Sequence, residues 1–206
     1  MIVPHPRNGQ TFRGMRIGLL GGSFNPAHEG HRAMSLHALK ALGLDQVWWL
    51  VCPQNPLKDK EEMASLAKRL VRAERFARHP RFVVTAIEAA LGTTATVDTL
   101  RQLKKRFPGV TFIWLMGADN LRQIPKWQKW TEIFRLVPVA VFRRPSYPAG
   151  KGLGLAAIRF DAGWAPSLKA GALARQTGDQ TPAWTMLDNE LNETSATEIR
   201  KDNPWW

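Results

Sequence analysis

Cysteine is almost absent from this chain of 206 residues: Cys52 stands alone, so no internal disulfide can form. No Cys/His cluster has zinc-finger spacing either, so packing must hold the fold together, as suits a reducing cytosol. Neither G-x-G-x-x-G nor G-x-x-x-x-G-K-[ST] occurs, which argues against a dehydrogenase and against a P-loop enzyme. HisGluGlyHis at 28–31 is not a zincin motif, because Arg32 occupies the place where HExxH needs its second histidine. No Ser/His/Asp or Cys/His constellation stands out as a nucleophilic device. The first thirteen residues contain Pro4, Pro6 and Gly9 and only a three-residue apolar run, which fits neither a signal segment nor a membrane helix. Residues 1–14 therefore read as a tail without fixed structure. Met15, just before the first strand, is placed to serve as a second start, which would make the tail dispensable.

Acidic residues are also scarce. Lys and Arg outnumber Asp and Glu by 29 to 17, a net charge of +12 that favours anionic partners, whether nucleic acid, acidic lipid or a polyphosphate nucleotide. With 44% hydrophobic residues the chain can bury one sizeable core. Apolar runs alternate with amphipathic stretches: Met15 to Leu20, Arg32 to Leu42, then Val47 to Val51. That order predicts parallel strands joined by crossover helices, an α/β fold with one Rossmann-like domain and a mostly parallel open sheet carrying helices on both faces. Val97, Leu100 and Leu103 mark a later helix, stopped by Pro108 and Gly109. Val110 to Met116 and Val137 to Phe142 read as buried central strands. Between about 145 and 182 the composition shifts to Gly, Pro, Ala and Lys, and the segment reads as a loop-rich excursion from a domain spanning 15–206.

The most informative segment is GGSFNPAHEGH, from Gly21 to His31, which follows a strand and leads into a helix. Gly21 and Gly22 would let the backbone turn sharply and approach a ligand, while the helix start offers N–H groups to an anion. His28 and His31, three apart, would donate hydrogen bonds to phosphoryl oxygens at that helix mouth. The competing reading is a glycine turn with two solvent-facing histidines. Gly117 and Asp119 follow a buried strand at the sheet's carboxyl edge, where open α/β sheets bind ligands, although Asp119 could equally cap a short helix from Asn120. Ser195 and Glu198 have capping-box spacing and predict a helix start able to take phosphate, with Arg200 one turn later. Lys58 in a Pro-rich loop is either a phosphate contact or a solvated charge. Trp127 has an indole face suited to stacking on a flat heterocycle, although with nine tryptophans most must serve packing.

Taken together, these segments resemble the nucleotidylyltransferase superfamily with the HxGH motif, particularly bacterial nicotinate-nucleotide adenylyltransferases. GGSFNPAHEGH is similar to the family signature, Met116 to Leu121 with Trp127 and Trp130 to GADxL…W, Phe142 to Pro145 to RRP, and Ser195 to Arg200 to SSTxIR. Pro53 to Lys58 resembles PxxPHK with Leu57 in place of histidine, and Thr93 to Leu100 resembles SYTxDTL with Ala95 in place of tyrosine. Ala196 likewise replaces a serine. The resemblance covers roughly residues 15 to 201 and implies adenylyl transfer from ATP to nicotinate mononucleotide, giving nicotinate adenine dinucleotide and pyrophosphate in NAD biosynthesis. It implies His28, His31, Lys58 and Arg200 as phosphate-gathering catalytic groups. ATP would meet Gly21, Gly22, Ser23, Phe24, His28, His31, Gly117, Asp119, Arg144, Ser195, Thr197, Ile199 and Arg200. The nicotinate nucleotide would meet Ser23, Phe24, Lys58, Thr94, Thr96, Trp127 and Arg144, with Thr96 capping its helix and offering backbone to the pyridine carboxylate. Mg²⁺ would be held by the ATP phosphates rather than by protein ligands. The alternatives are nicotinamide mononucleotide or pantetheine-phosphate adenylyltransferase and, in a different class, a basic nucleic-acid-binding protein. The expected setting is cytoplasmic, with neither nucleic acid nor membrane as partner and oligomeric state left open.

Overall fold

The computed structural model describes residues 4, 10–53, 63–143, 154–165, 170–173, 182–188 and 196–202. Lys58, Arg144 and Ser195, with most of the excursion at 145–182, lie outside the described residues.

Four short, strongly apolar runs become strands β1 (Arg16–Gly22), β2 (Gln46–Val51), β4 (Thr111–Gly117) and β5 (Val139–Phe142), within a residue or two of the predicted limits. Three more strands complete the sheet: β3 (Phe82–Thr85), β6 (Trp164–Ala165) and β7 (Trp184–Leu187). Among the described residues all seven join one sheet in the order β3-β2-β1-β4-β5-β7-β6, and every pairing is parallel. Strand β6 and the helices α7 (Leu155–Arg159) and α8 (Ala170–Leu173) give the described part of the excursion more regular structure than its composition suggested.

The sheet separates two apolar layers by strict alternation. Ile17, Leu19, Trp48, Leu50, Phe112, Trp114, Val139 and Val141 face one layer, where α3 (Ile87–Leu91), α4 (Thr96–Arg106), α5 (Ala118–Gln123) and α6 (Trp130–Leu136) supply Ile87, Leu100, Leu121 and Phe134. Leu20, Val47, Trp49, Ile113, Leu115, Ala140 and Phe142 face the other, covered by Ala38 and Leu39 of α1 (Glu29–Ala41) and Ala73 of α2 (Leu66–Phe76). A period of two in strands buried on both faces yields the nearly continuous apolar runs from which the sheet was predicted. The strand order reverses between β1 and β4, so the chain leaves these neighbours in opposite directions and opens a crevice beyond their carboxyl ends.

The N-terminal expectation needs correction at its inner end. Residues 10–12 form a turn of 3-10 helix, and Phe12 is only 2% exposed. Its ring meets Trp48 edge-on at 5.2 Å and Phe107 at 5.8 Å, and the Gly14 N–H donates to the Gly109 carbonyl at 2.8 Å. A phenyl ring with two aromatic neighbours has more to gain from the core than from water, so it carries the chain inward before β1 begins. Phe12→Ala should therefore cost about 3–5 kcal/mol of stability, and a chain starting at Met15 should lose at least as much. Urea unfolding of the two variants checks this; midpoints equal to the parent's would show the segment to be dispensable.

Candidate active site

Beyond β1 the chain turns at Phe24, and the two glycines play a different part from the one expected. Gly21 and Gly22 both belong to the strand, and neither has a positive φ. A Cβ on Gly21 would lie 2.3 Å from Cη2 of Trp114, so glycine there makes room for an indole on the neighbouring strand. The left-handed residue is Phe24, φ 45°, a conformation that disfavours a bulky side chain. Packing holds it: the ring is 2% exposed, stacks on Trp49 at 5.1 Å and an interplanar angle of 10°, and lies 4.8 Å from the His31 imidazole.

The histidines are built into the helix start instead of facing solvent. His28 is the N-cap of α1 in extended conformation, and its Nδ1 accepts from the Gly30 N–H at 3.1 Å. The His31 Nδ1 in turn accepts from the His28 N–H at 3.3 Å, a reciprocal cap at the spacing that Ser and Glu use in a capping box. A backbone N–H can be accepted only by a ring nitrogen with a lone pair, so both imidazoles carry their proton on Nε2. The rings lie 4.0 Å apart, and His28 is buried. Trp49 Nε1 donates to Ser35 Oγ, which donates to the His31 carbonyl, each at 2.8 Å, so β2 also fixes this turn of helix. The site thus presents two pre-oriented Nε2–H donors.

The far segments of the sequence meet at this loop. Arg200 of α9 (Ala196–Asp202) donates to the Asn25 carbonyl from Nη1 and to Thr197 Oγ1 from Nη2 at 3.4 Å. In α9 Thr197 is exposed, and Ile199 half-buried. Gly117 ends β4 as the N-cap of α5, so this helix starts at Ala118 and places Asp119 in its first turn, not at its cap. Trp127 is partly buried and stands edge-on to Trp114 at 6.3 Å and 86°, the same indole that fills the space over Gly21. The structure thus brings Gly21, Gly22, Ser23, Phe24, His28, His31 and Arg200 together, with Trp127 joined to them through Trp114. Gly117 and Asp119 lie at the end of the adjacent strand.

The segment before α4 differs from its expected form. The N-cap is Ala95, without a side-chain hydrogen bond, and Thr96 is the first helical residue rather than a cap; Thr94 is exposed. The working hydroxyl is Thr99, which donates to Glu88 Oε1 at 3.1 Å and, its one proton so used, accepts from Thr93 Oγ1 at 2.8 Å. Burial pushes the Glu88 carboxyl up to about 7, opposed by the Thr99 hydrogen bond.

Sequence reasoning missed two arginines of α2. Arg69, 1% exposed, donates from Nη1 to the carbonyls of Ser23 at 2.7 Å and Cys52 at 2.8 Å, from Nη2 to Pro53 at 3.0 Å and from Nε to Ala64 at 2.9 Å. Burial lowers its pKa, and the neighbouring Cys52 side chain works the other way. Arg72 Nε donates to the Ala27 carbonyl at 3.2 Å. The signal was present: Arg69 lies three residues after Leu66 and four before Ala73, a core-facing place at which an arginine must bring its own acceptors.

Residues 19–202 match the cytidylyltransferase-like family. Over 192 residues the chain is 50% identical to a protein of Parvibaculum lavamentivorans named as a probable nicotinate-nucleotide adenylyltransferase, a match spanning 93% of this chain and 94% of that one. The chain belongs to the nicotinate-nucleotide adenylyltransferase family. A Gluconobacter oxydans protein of the same name is 48% identical over 189 residues, or 91% of this chain and 94% of its own length. The fold is also that of the Plasmodium falciparum nicotinic acid mononucleotide adenylyltransferase solved with NaAD, at a TM-score of 0.66 and 16% identity over 90% of this chain and 82% of that one. Within the family's pattern, the departure at 95 falls on the uncapped start of α4 and that at 196 on the first residue of α9.

Between the unfolded value and about 7, native Glu88 holds a proton that the unfolded chain has released, so stability falls as pH rises through that window. Going from pH 5 to pH 8, Glu88 should remove on the order of 1–3 kcal/mol. Glu88→Gln keeps an acceptor for Thr99 and should flatten that decline in paired urea titrations; an equally steep loss in the variant would show that Glu88 does not titrate there.

Proposed function

We propose that this chain joins the adenylyl group of ATP to nicotinate mononucleotide, making nicotinate adenine dinucleotide and pyrophosphate for NAD biosynthesis. The observation that carries this reading is the meeting of His28, His31 and Arg200 on one loop at the β1–β4 crevice. Family membership at 50% identity over nearly the whole chain supplies the substrates.

The reaction needs no nucleophile from the protein. A phosphate oxygen of the mononucleotide attacks the α-phosphorus of ATP, forming a new P–O–P bond as the bond to the β-phosphate breaks and pyrophosphate leaves. The barrier lies in bringing two polyanions together and stabilising charge that moves onto the leaving group. Fixed N–H donors suit that task because they need not reorganise. The Nε2–H groups of His28 and His31 and the guanidinium of Arg200 are such donors, and Lys58 joins them in this proposal. Gly117 and Asp119 would meet the adenosine side, together with Arg144, Ser195, Thr197 and Ile199. Trp127 would stack on the pyridine ring, near Thr94 and Thr96.

ATP would enter as its Mg²⁺ complex, the cation supplying neutralisation of phosphate charge. Among the described residues no group of three His, Cys, Asp or Glu is placed to hold a metal, and the donors at the loop are those that take oxygen anions. In this proposal the cation would be held mainly by the phosphates of ATP. No helix among the described residues is long and apolar enough to cross a membrane, and the cytoplasm is the proposed site of action.

His31→Ala would remove a cap as well as a donor, so His31→Gln is the cleaner test: a glutamine at this position can still accept from the His28 N–H. Turnover should fall roughly 10²- to 10³-fold with little change in melting temperature. Pyrophosphate release with ATP and nicotinate mononucleotide measures it, and parental turnover in the variant would end the assignment of His31. Trp127→Ala should raise the KM for nicotinate mononucleotide more than that for ATP; the reverse order would remove Trp127 from the pyridine site.

A further inference from the structure

The loop from Ser23 to His28 has its carbonyl oxygens held in an ordered way. Those of Ser23, Asn25 and Ala27, at alternate residues, each accept from a different guanidinium: Arg69, Arg200 and Arg72. Two of these arginines come from one helix, α2, three residues apart, and the third comes from α9. The Asn25 side chain adds a fourth tie, its Oδ1 accepting from the Ala64 N–H at 3.1 Å just before α2.

A carbonyl oxygen turned towards a phosphate is repulsive, and a loop free to rotate its peptides would present oxygens as readily as N–H groups. A guanidinium on the carbonyl removes that freedom, because the bond is charge-assisted and directional. It also fixes the residues on either side. Ala27 precedes His28, whose N–H and Nδ1 form the reciprocal cap with His31 and Gly30, so a displaced Ala27 carbonyl would carry both imidazoles with it. Ser23 precedes the left-handed Phe24, whose ring packs against His31.

We propose that Arg69 and Arg72 are positioning residues for phosphate recognition: by drawing the Ser23 and Ala27 carbonyls towards α2 they keep oxygens away from the nucleotide and set the two imidazoles in line with it. Neither touches substrate. This deepens the adenylyl-transfer reading and rests on it for turnover, but binding of a bare polyphosphate tests it separately.

The experiment compares the parent with Arg72→Met and Arg75→Met in the full chain. Arg75 lies on the same helix, is exposed, and controls for loss of one positive charge. Inorganic tripolyphosphate affinity is measured by calorimetry, and kcat and KM by pyrophosphate release from ATP with nicotinate mononucleotide. Arg72→Met should weaken tripolyphosphate about tenfold and lower kcat by a similar factor at temperatures well below its melting point, as expected for misplaced donors. Arg75→Met should match the parent. Equal behaviour of parent and Arg72→Met, or an equal loss in Arg75→Met, would overturn the proposal, the second by reducing the effect to net charge. Arg72→Gln, which keeps a polar group at this half-buried position, is the second variant should Met fail to fold, and unchanged affinity there overturns the proposal as well. If the parent binds tripolyphosphate without releasing pyrophosphate, the adenylyl-transfer reading fails alone; if it does not bind tripolyphosphate, both fail.

Discussion

A polypeptide loop that receives a polyanion must first dispose of its own oxygens. In the loop after β1 the carbonyls of Ser23, Asn25 and Ala27 are each held by a guanidinium, and on the proposed reading the rest of the site follows from where these stand. Arg69 is buried with four carbonyls around it, drawn from the loop after β1, the two residues after β2 and the stretch leading into α2. One cation donates to four carbonyls, so its own loss of hydration is offset by charge-assisted hydrogen bonds. The arrangement makes the crevice a joint product of α1, α2, β2 and α9, though these are far apart in the chain.

The histidines show how one side chain can serve structure and chemistry together. Each uses Nδ1 to satisfy a backbone N–H at the start of α1, and that choice fixes the tautomer that leaves a proton on Nε2. Capping is thus a condition for the donor role, not a competitor to it. Phe24 and Trp49 close the aromatic enclosure around His31, so the ring's orientation is set from several sides.

Much of this was legible beforehand because it depends on period and order. Strands buried on both faces announce themselves as apolar runs, and β1, β2, β4 and β5 were readable for that reason, as was the helix carrying Val97, Leu100 and Leu103. Strand β6 spans only two residues, and β3 and β7 are four-residue segments that each include a threonine, whereas the four residues of β5 are wholly apolar. Candidate residues were found where a motif clustered them, but what holds them was not. Glycine suggested a turn at 21–22, whereas the tertiary demand was space for Trp114, and the turn fell on Phe24, whose conformation only its packing can explain. Thr96 looked like a cap because it is a threonine before a helix; the hydroxyl engaged is that of Thr99, because a buried carboxyl lies beside it. Arg69 and Arg72 fall in no motif, and although the spacing of Arg69 faces it to the core, a sequence does not show which carbonyls a guanidinium will reach.

Trp114 belongs to neither the phosphate loop nor the ring platform, yet it touches the neighbourhood of both: its six-membered ring occupies the space above Gly21, and it stands edge-on to Trp127. A rigid indole wedged between two such neighbours acts as a spacer of fixed length. On the proposed reading, the distance between the place where phosphate would be received and the place where a pyridine would lie is then gauged by one side chain of the central strand, so that a change of bulk at 21, 114 or 127 would alter that reach.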